Sequence, residues 1–130
     1  MKSEAKLTGR APILLVADVT RSIEYYRDRL GFEEVDRFGD PVSFAIIKRD
    51  DNYIMFADAK AEDIKPNWKI QEKTSNVYFW TDDVETLYKE YKENGATIDW
   101  DLYTAPYGVK EFGINDPDGY DIAFGEVIEK

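Results

Sequence analysis

Two stretches of this 130-residue chain follow one pattern about 65 residues apart. The first runs Val16-Ala17-Asp18-Val19-Thr20 through Tyr26 and Leu30 to Gly31, the second Thr81-Asp82-Asp83-Val84-Glu85 through Tyr91 to Gly95. A doubled unit must bury the same kind of face twice, so the repeat restricts the chain to paired modules packed on shared apolar surface. The length fits one domain, residues 1–130, able to bury a core without staples.

Within each repeat the elements are legible. Residues 12–17 are a continuous apolar run with the length of a buried strand, and the Asp18-Val19-Thr20 segment is a helix entry with Thr20 as the predicted N-cap. Ile23, Tyr26 and Leu30 then recur at helical spacing, and Gly31 is placed to end the helix in the left-handed region. Strands are predicted at 33–37, 42–48 and 53–57, separated by Gly39-Asp40-Pro41 and Arg49-Asp50-Asp51-Asn52. Residues 58–74 carry no sustained periodicity and form a connector. The second half opens with a strand at 76–80 and a helix with Asp82 as N-cap and Glu85 in capping-box position. Val84, Leu87, Tyr88 and Tyr91 make its apolar face and Gly95 its end. Strands follow at 97–102, 109–114 and 121–127, with Asp116-Pro117-Asp118-Gly119 as turn chemistry between the last two. Each half is βαβββ, with modules at about 10–57 and 75–127; the fold class is α+β, and the open sheet faces are expected to curl around one cavity.

Composition removes several functions. There is no histidine and no cysteine, so disulfides, thiol chemistry and the usual transition-metal ligands are absent. Lack of cysteine fits a reducing cytoplasm. A net charge of −10 repels phosphate backbones and anionic lipid, so neither nucleic acid nor membrane is an expected partner. The longest apolar run, Ala11–Ala17, falls far short of the roughly 20 residues that span a bilayer, and residues 1–10 lack a signal-peptide apolar region.

The stretch Leu15 to Tyr26 with Leu30-Gly31-Phe32, and the closing Asp116-Pro117-Asp118-Gly119-Tyr120-Asp121-Ile122-Ala123-Phe124, resemble the glyoxalase/bleomycin-resistance/dioxygenase group, the vicinal oxygen chelate superfamily. The resemblance covers nearly the whole chain. It implies paired βαβββ modules, a curved eight-stranded mixed sheet around a central pocket, and a homodimer. Relatives on this fold isomerise, cleave rings, open epoxides or sequester drugs, so the fold alone does not decide between them. In the metal-using relatives His, Glu or Gln occupy the pocket face; the matching positions here are Ala11, near Met55, Asn76 and Ala123. Two alanines, a methionine and one amide do not make a divalent-ion site, and no metal or other cofactor is expected.

Strand alternation places Ile13, Leu15, Tyr53, Tyr78, Trp80, Glu111, Gly113 and Asp121 on the pocket side, with Leu14, Val16, Ile54, Phe56, Phe112, Ile114, Ile122 and Phe124 under the helices. The candidate ligand-binding residues are Tyr53, Tyr78 and Trp80, the loop aromatics Trp100, Tyr103 and Tyr107, and the carboxylates Glu111 and Asp121. Aromatic faces stack planar ligands and attract cations. Each aromatic taken singly is equally well read as sheet filling, and each carboxylate singly as a solvated or turn-stabilising group. Trp68, in the connector, is expected to pack, with a lid or dimer contact as the other readings.

These features imply a metal-independent binding protein, similar to the bleomycin-resistance branch, that sequesters a planar or cationic drug or metabolite. The alternative is a lyase or isomerase using Glu111 or Asp121 as base, or one with an oxygen-only metal site. A ligand-responsive module acting on a partner is a third reading, which no residue singles out.

Overall fold

Asp18, not Thr20, caps the first helix: its carboxylate accepts the Arg21 amide at 3.0 Å, satisfying an N–H that the first turn leaves without a partner. The second helix begins in the same way at Asp83, whose side chain accepts the Thr86 amide at 3.2 Å and the Thr86 hydroxyl at 2.8 Å. Asp82 and its capping box with Glu85 are therefore displaced by one residue. In both helices the cap is the aspartate immediately before the first valine, so the apolar face starts in register with the first turn.

The structure, a computed structural model, describes residues 3–128. The first module comprises β1 (Ile13–Val16), α1 (Val19–Leu30), β2 (Glu33–Phe38), β3 (Phe44–Arg49) and β4 (Asn52–Asp58). The second comprises β5 (Val77–Trp80), α2 (Val84–Glu93), β6 (Thr97–Ala105), β7 (Val109–Asn115) and β8 (Asp121–Val127). The connector holds two short 3-10 turns at Ala61–Asp63 and Asn67–Lys69. Gly31 ends α1 at φ 76° and Gly95 follows α2 at φ 79°, a region that a side chain rarely enters.

The eight strands hydrogen-bond as two sheets of four, ordered β1-β4-β3-β2 and β5-β8-β7-β6. Each has one parallel pair, β1 with β4 and β5 with β8, with the other pairs antiparallel. The two modules thus repeat one topology.

Alternation sorts the strands as expected. Val16, Ile54, Phe56, Phe112, Ile114 and Ile122 are fully buried, while Ile13, Leu15 and Trp80 of the opposite phase are exposed. Each fully buried Ile, Leu or Phe is worth about 1.5–3 kcal/mol, so a one-residue slip in register would be strongly opposed. Tyr26, Leu30, Val84 and Tyr91 from the helices complete one continuous core spanning both modules.

Polar contacts lock the modules together on this side. Asp118 accepts the Ala17 amide at 3.0 Å and pairs with Arg21 at 3.2 Å, while Tyr26 donates to Asp116 at 2.8 Å. Arg49, at the end of β3, makes a two-pronged contact to Glu90 of α2 at 2.6 and 3.0 Å and donates to the Leu30 carbonyl at 2.8 Å. The Asp116–Gly119 segment is the turn the sequence indicates, and it is also a clamp on α1. Because the apolar faces meet in this shared core, the opposite faces of the two sheets are left free.

Candidate functional site

The free face of the second sheet carries a cleft of 750 Å³. Its walls come from the connector and from β6, β7 and β8; among the described residues, no lining residue belongs to the first module. A smaller cleft of 210 Å³ lies between the modules, with Phe32, Arg49 and Asn52 of the first and Phe79, Trp80 and Glu90 of the second in its walls. The core lies between the modules, so each sheet presents its other face separately.

Five of the eight candidate residues line this cleft: Trp100, Tyr103, Tyr107, Glu111 and Asp121. Tyr78 joins them through its hydroxyl, which donates to Glu111 at 2.6 Å, and Trp80 packs against Tyr78 at 4.8 Å between ring centroids. Tyr53 does not join. It stands on β4 of the other sheet, with the Lys48 ammonium 6.0 Å from its ring centre.

Glycines let two rings lie across the sheet. A Cβ on Gly113 would overlap the Trp100 indole, and one on Gly125 would overlap the Tyr78 hydroxyl. Both glycines mark close approach, since strand positions with a side chain would hold the rings off the backbone. Trp100 thereby reaches Asp121, donating from Nε1 to Oδ2 at 2.9 Å, and meets Tyr103 edge to face at 5.8 Å.

Glu111 and Asp121 are both 4% exposed, so neither is the solvated carboxylate that each suggests in isolation. Glu111 accepts three phenols: Tyr78 on Oε1 at 2.6 Å, and Tyr107 at 2.6 Å and Tyr103 at 3.2 Å on Oε2. Burial and the Glu111 carboxylate raise the Tyr78 phenol, and the hydrogen bond to Glu111 raises that of Tyr107, so both stay protonated donors. Asp121 accepts Ser75 Oγ at 2.5 Å as well as the indole. Burial first, and then the neighbouring Asp99 carboxyl, push Asp121 up to about 7. Among the described residues no Lys or Arg forms an ion pair with Glu111, Asp121 or Asp99. The cleft's acids are held by neutral donors.

Sequence reasoning missed the connector's share. Lys73, Thr74 and Ser75 form one rim, and Trp68 forms another part of it. Trp68 is tied down by its Nε1, which donates to the Gly119 carbonyl at 2.6 Å, and it is 42% exposed. It thus lines the cleft, whereas packing was the expectation. Asp99 and Asn115 were also missed. Asn115 continues the alternation Glu111, Gly113 on β7, which was a usable signal; Asp99 lies where β6 shifts register, which alternation cannot follow.

The positions that hold metal in related folds do not fit an ion here. Asn76 Oδ1 already accepts the Asn67 amide at 2.8 Å, Ala123 is fully buried, and Met55 and Ala11 offer no oxygen or nitrogen side-chain donor. Among the described residues no three Asp or Glu side chains converge as a metal-holding group.

Paired βαβββ modules of one topology with a ligand-sized cleft on a sheet face define the class of fold. The chain belongs to the glyoxalase/bleomycin resistance protein/dioxygenase superfamily, whose sequence profile matches residues 10–124. Solved structures agree on the fold. One is a glyoxalase-related enzyme from Clostridium phytofermentans, with 20% identity and a TM-score of 0.76 over 98% of this chain and 100% of that one. Another is TnmS3, an antibiotic binding protein from Streptomyces sp. CB03234, with 17% identity and a TM-score of 0.74 over 96% and 99%. A third is the bleomycin-binding protein of Streptomyces verticillus in complex with copper(II)-bleomycin, with 24% identity and a TM-score of 0.67 over 97% and 99%. No curated protein matches the chain. Among the described residues no helix is long and apolar enough to cross a membrane.

Proposed function

We propose that the protein sequesters a planar, cationic small molecule in the cleft of its second module, without a metal and without chemical turnover. The observation that carries this reading is the pair of buried carboxylates, Glu111 and Asp121, held only by neutral donors beside the faces of Trp100, Tyr103 and Tyr107. Buried charge is costly unless compensated, and a cation stacked on these rings supplies the compensation while gaining roughly 0.5–2 kcal/mol from the ring faces. Proteins that bind bleomycin or another antibiotic share the fold, which accords with a binding role. The absence of donors at positions 11, 55 and 123 supports a metal-free site.

Titration with metal-free bleomycin and with a planar cation such as ethidium, read by calorimetry and tryptophan quenching, tests the reading. Saturable binding of either, reduced at least tenfold in Trp100→Ala, is expected; no binding by any planar cation overturns it. Metal analysis of protein purified without chelator is expected to find less than one equivalent.

The first sheet leaves Ile13, Leu15, Val35 and Phe38 exposed. A homodimer in which a second copy covers them accounts for this apolar face and brings Tyr53 toward a ligand site. Sedimentation at micromolar concentration tests it, and a monomer rejects it. A cytoplasmic location accompanies this reading because the chain has no cysteine to oxidise.

One observation favours an enzyme instead. Asp121, pushed up to about 7, has the proton affinity of a general base working near neutrality. Turnover of methylglyoxal-glutathione adducts that disappears in Asp121→Asn would establish a lyase or isomerase.

A further inference from the structure

Glu111 of β7 gathers phenols from three places in the second module. Tyr78 of β5 donates to its Oε1 at 2.6 Å, while Tyr103 of β6 and Tyr107, in the turn between β6 and β7, donate to Oε2 at 3.2 and 2.6 Å. None of the three rings belongs to the apolar core, and all three are exposed. A carboxylate only accepts, so Glu111 fixes the direction of all three O–H bonds. A hydroxyl has one proton and two lone pairs; once its proton points at Glu111, the oxygen can only accept from a molecule in the cleft. Tyr103 and Tyr107 line the 750 Å³ cleft beside Trp100, and the carboxylate that aims them is itself buried.

Deepening the binding reading above, on which it rests, we propose that Glu111 is a positioning residue that turns the oxygens of Tyr103 and Tyr107 into a paired acceptor selecting an aromatic cation of the amidinium class. Tyr78 occupies the other carboxylate oxygen, so the side chain is held at both ends and the pair keeps its aim. Hydrogen bonds in series polarise one another, so the two phenol oxygens carry part of the Glu111 charge to the cleft surface. A charged N–H donor answers such an oxygen better than a neutral one. An amidinium offers its N–H groups as a planar fork, which suits two neighbouring acceptors, and the Trp100 indole, fixed on Asp121 at 2.9 Å, gives a face to its aromatic part. A planar cation without N–H keeps the attraction of the rings and loses the paired acceptor. A neutral ketone meets oxygen with oxygen.

The full chain is titrated by calorimetry with 2-naphthamidine, N-methylquinolinium and 2-acetylnaphthalene, which are a cation with N–H donors, a cation without them and a neutral acceptor. The amidine is expected to bind at least about tenfold more tightly than either of the others. In Glu111→Gln the side-chain amide keeps one acceptor and gains an NH2 donor, so a phenol that accepts from it turns its own proton into the cleft. The ratio of amidine to ketone affinity is then expected to fall at least about tenfold, whereas a loss of packing alone weakens both probes alike. Tyr107 is exposed in a turn, so Tyr107→Phe reports even where Glu111→Gln fails to fold. That variant is expected to weaken the amidine about fivefold and to leave the ketone unchanged. Equal affinity for the amidine and the quinolinium, with both lost in Trp100→Ala, overturns the paired acceptor and leaves the aromatic cleft standing. An amidine-to-ketone ratio unchanged in Tyr107→Phe also overturns the paired acceptor, and one unchanged in Glu111→Gln overturns the positioning role. If none of the three probes binds, this inference and the cleft reading fall together.

Discussion

Tyr26 of α1 donates its hydroxyl to Asp116, in the turn before β8, across 2.8 Å of buried space between the two modules. Asp116 also accepts the amides of Asp118 and Tyr120, each at 3.0 Å, so one carboxyl group fixes its own turn and holds that turn to the other module's helix. Burial outweighs these hydrogen bonds and pushes Asp116 up to about 6.

That shift predicts a pH dependence with a definite sign. The folded state binds the Asp116 proton more tightly than the unfolded chain, so the contribution is fully present below about pH 4 and is lost as pH rises through about 6. Urea unfolding of the wild type and Asp116→Asn, compared at several pH values, isolates it. The wild type is expected to lose on the order of 3 kcal/mol relative to the variant between about pH 4 and 7. A constant difference between the two proteins would refute the assignment.

Gly113→Ala is expected to disturb the cleft more than the core. The new methyl group meets the indole of Trp100, which must leave the sheet surface and give up its hydrogen bond to Asp121. Overpacking of this kind costs about 1–3 kcal/mol. A change in tryptophan emission together with loss of ligand quenching checks it, and an unchanged emission spectrum counts against the packing described.

Removing the phenol of Tyr78 takes a donor from a buried carboxylate. Tyr78→Phe is expected to cost about 1–3 kcal/mol by urea unfolding, because Glu111 is left with an unanswered oxygen. Tyr107→Phe is expected to cost less, since Tyr107 is 65% exposed and water replaces its hydroxyl. Equal costs for the two variants would show that Glu111 is more hydrated than its burial indicates.

The Arg49 and Glu90 pair also links the modules, with both side chains about a third exposed. Its hydrogen bonds to Glu90 raise the Arg49 guanidinium above its ordinary range. A double-mutant cycle with Arg49→Met and Glu90→Gln is expected to give a coupling near 1 kcal/mol after allowing for solvent screening. The single Arg49 variant is expected to cost more than the Glu90 variant, because the Leu30 carbonyl also loses its donor. Zero coupling would make the pair a surface contact only.

Much of the fold was legible because its signals are local. Ile23, Tyr26 and Leu30 at helical spacing, the alternation through Phe112, Ile114, Ile122 and Phe124, and Gly31 and Gly95 as stops each report a conformation set within a few residues. The cap positions slipped because Asp18 and Thr20, or Asp82 and Asp83, satisfy the same composition rule, and only the path of the incoming strand selects between them. Alternation also gave the cleft side of Glu111 and Asp121. It gave no hint that Tyr53 would stand apart, because phase along a strand says nothing about which sheet lies next to which.

The repeat, the absence of histidine and cysteine, and the residues at positions 11, 55, 76 and 123 were fixed by sequence, and with them the paired modules and the chemistry of any site. Tertiary structure decided the rest: that the apolar faces of both modules meet in one core, that the connector closes one rim of a cleft, and that Glu111 and Asp121 are buried under rings lying on glycines. The physical reason is range. Strand phase and helix spacing are properties of neighbouring residues, whereas the burial of a carboxylate depends on what residues tens of positions away bring to cover it.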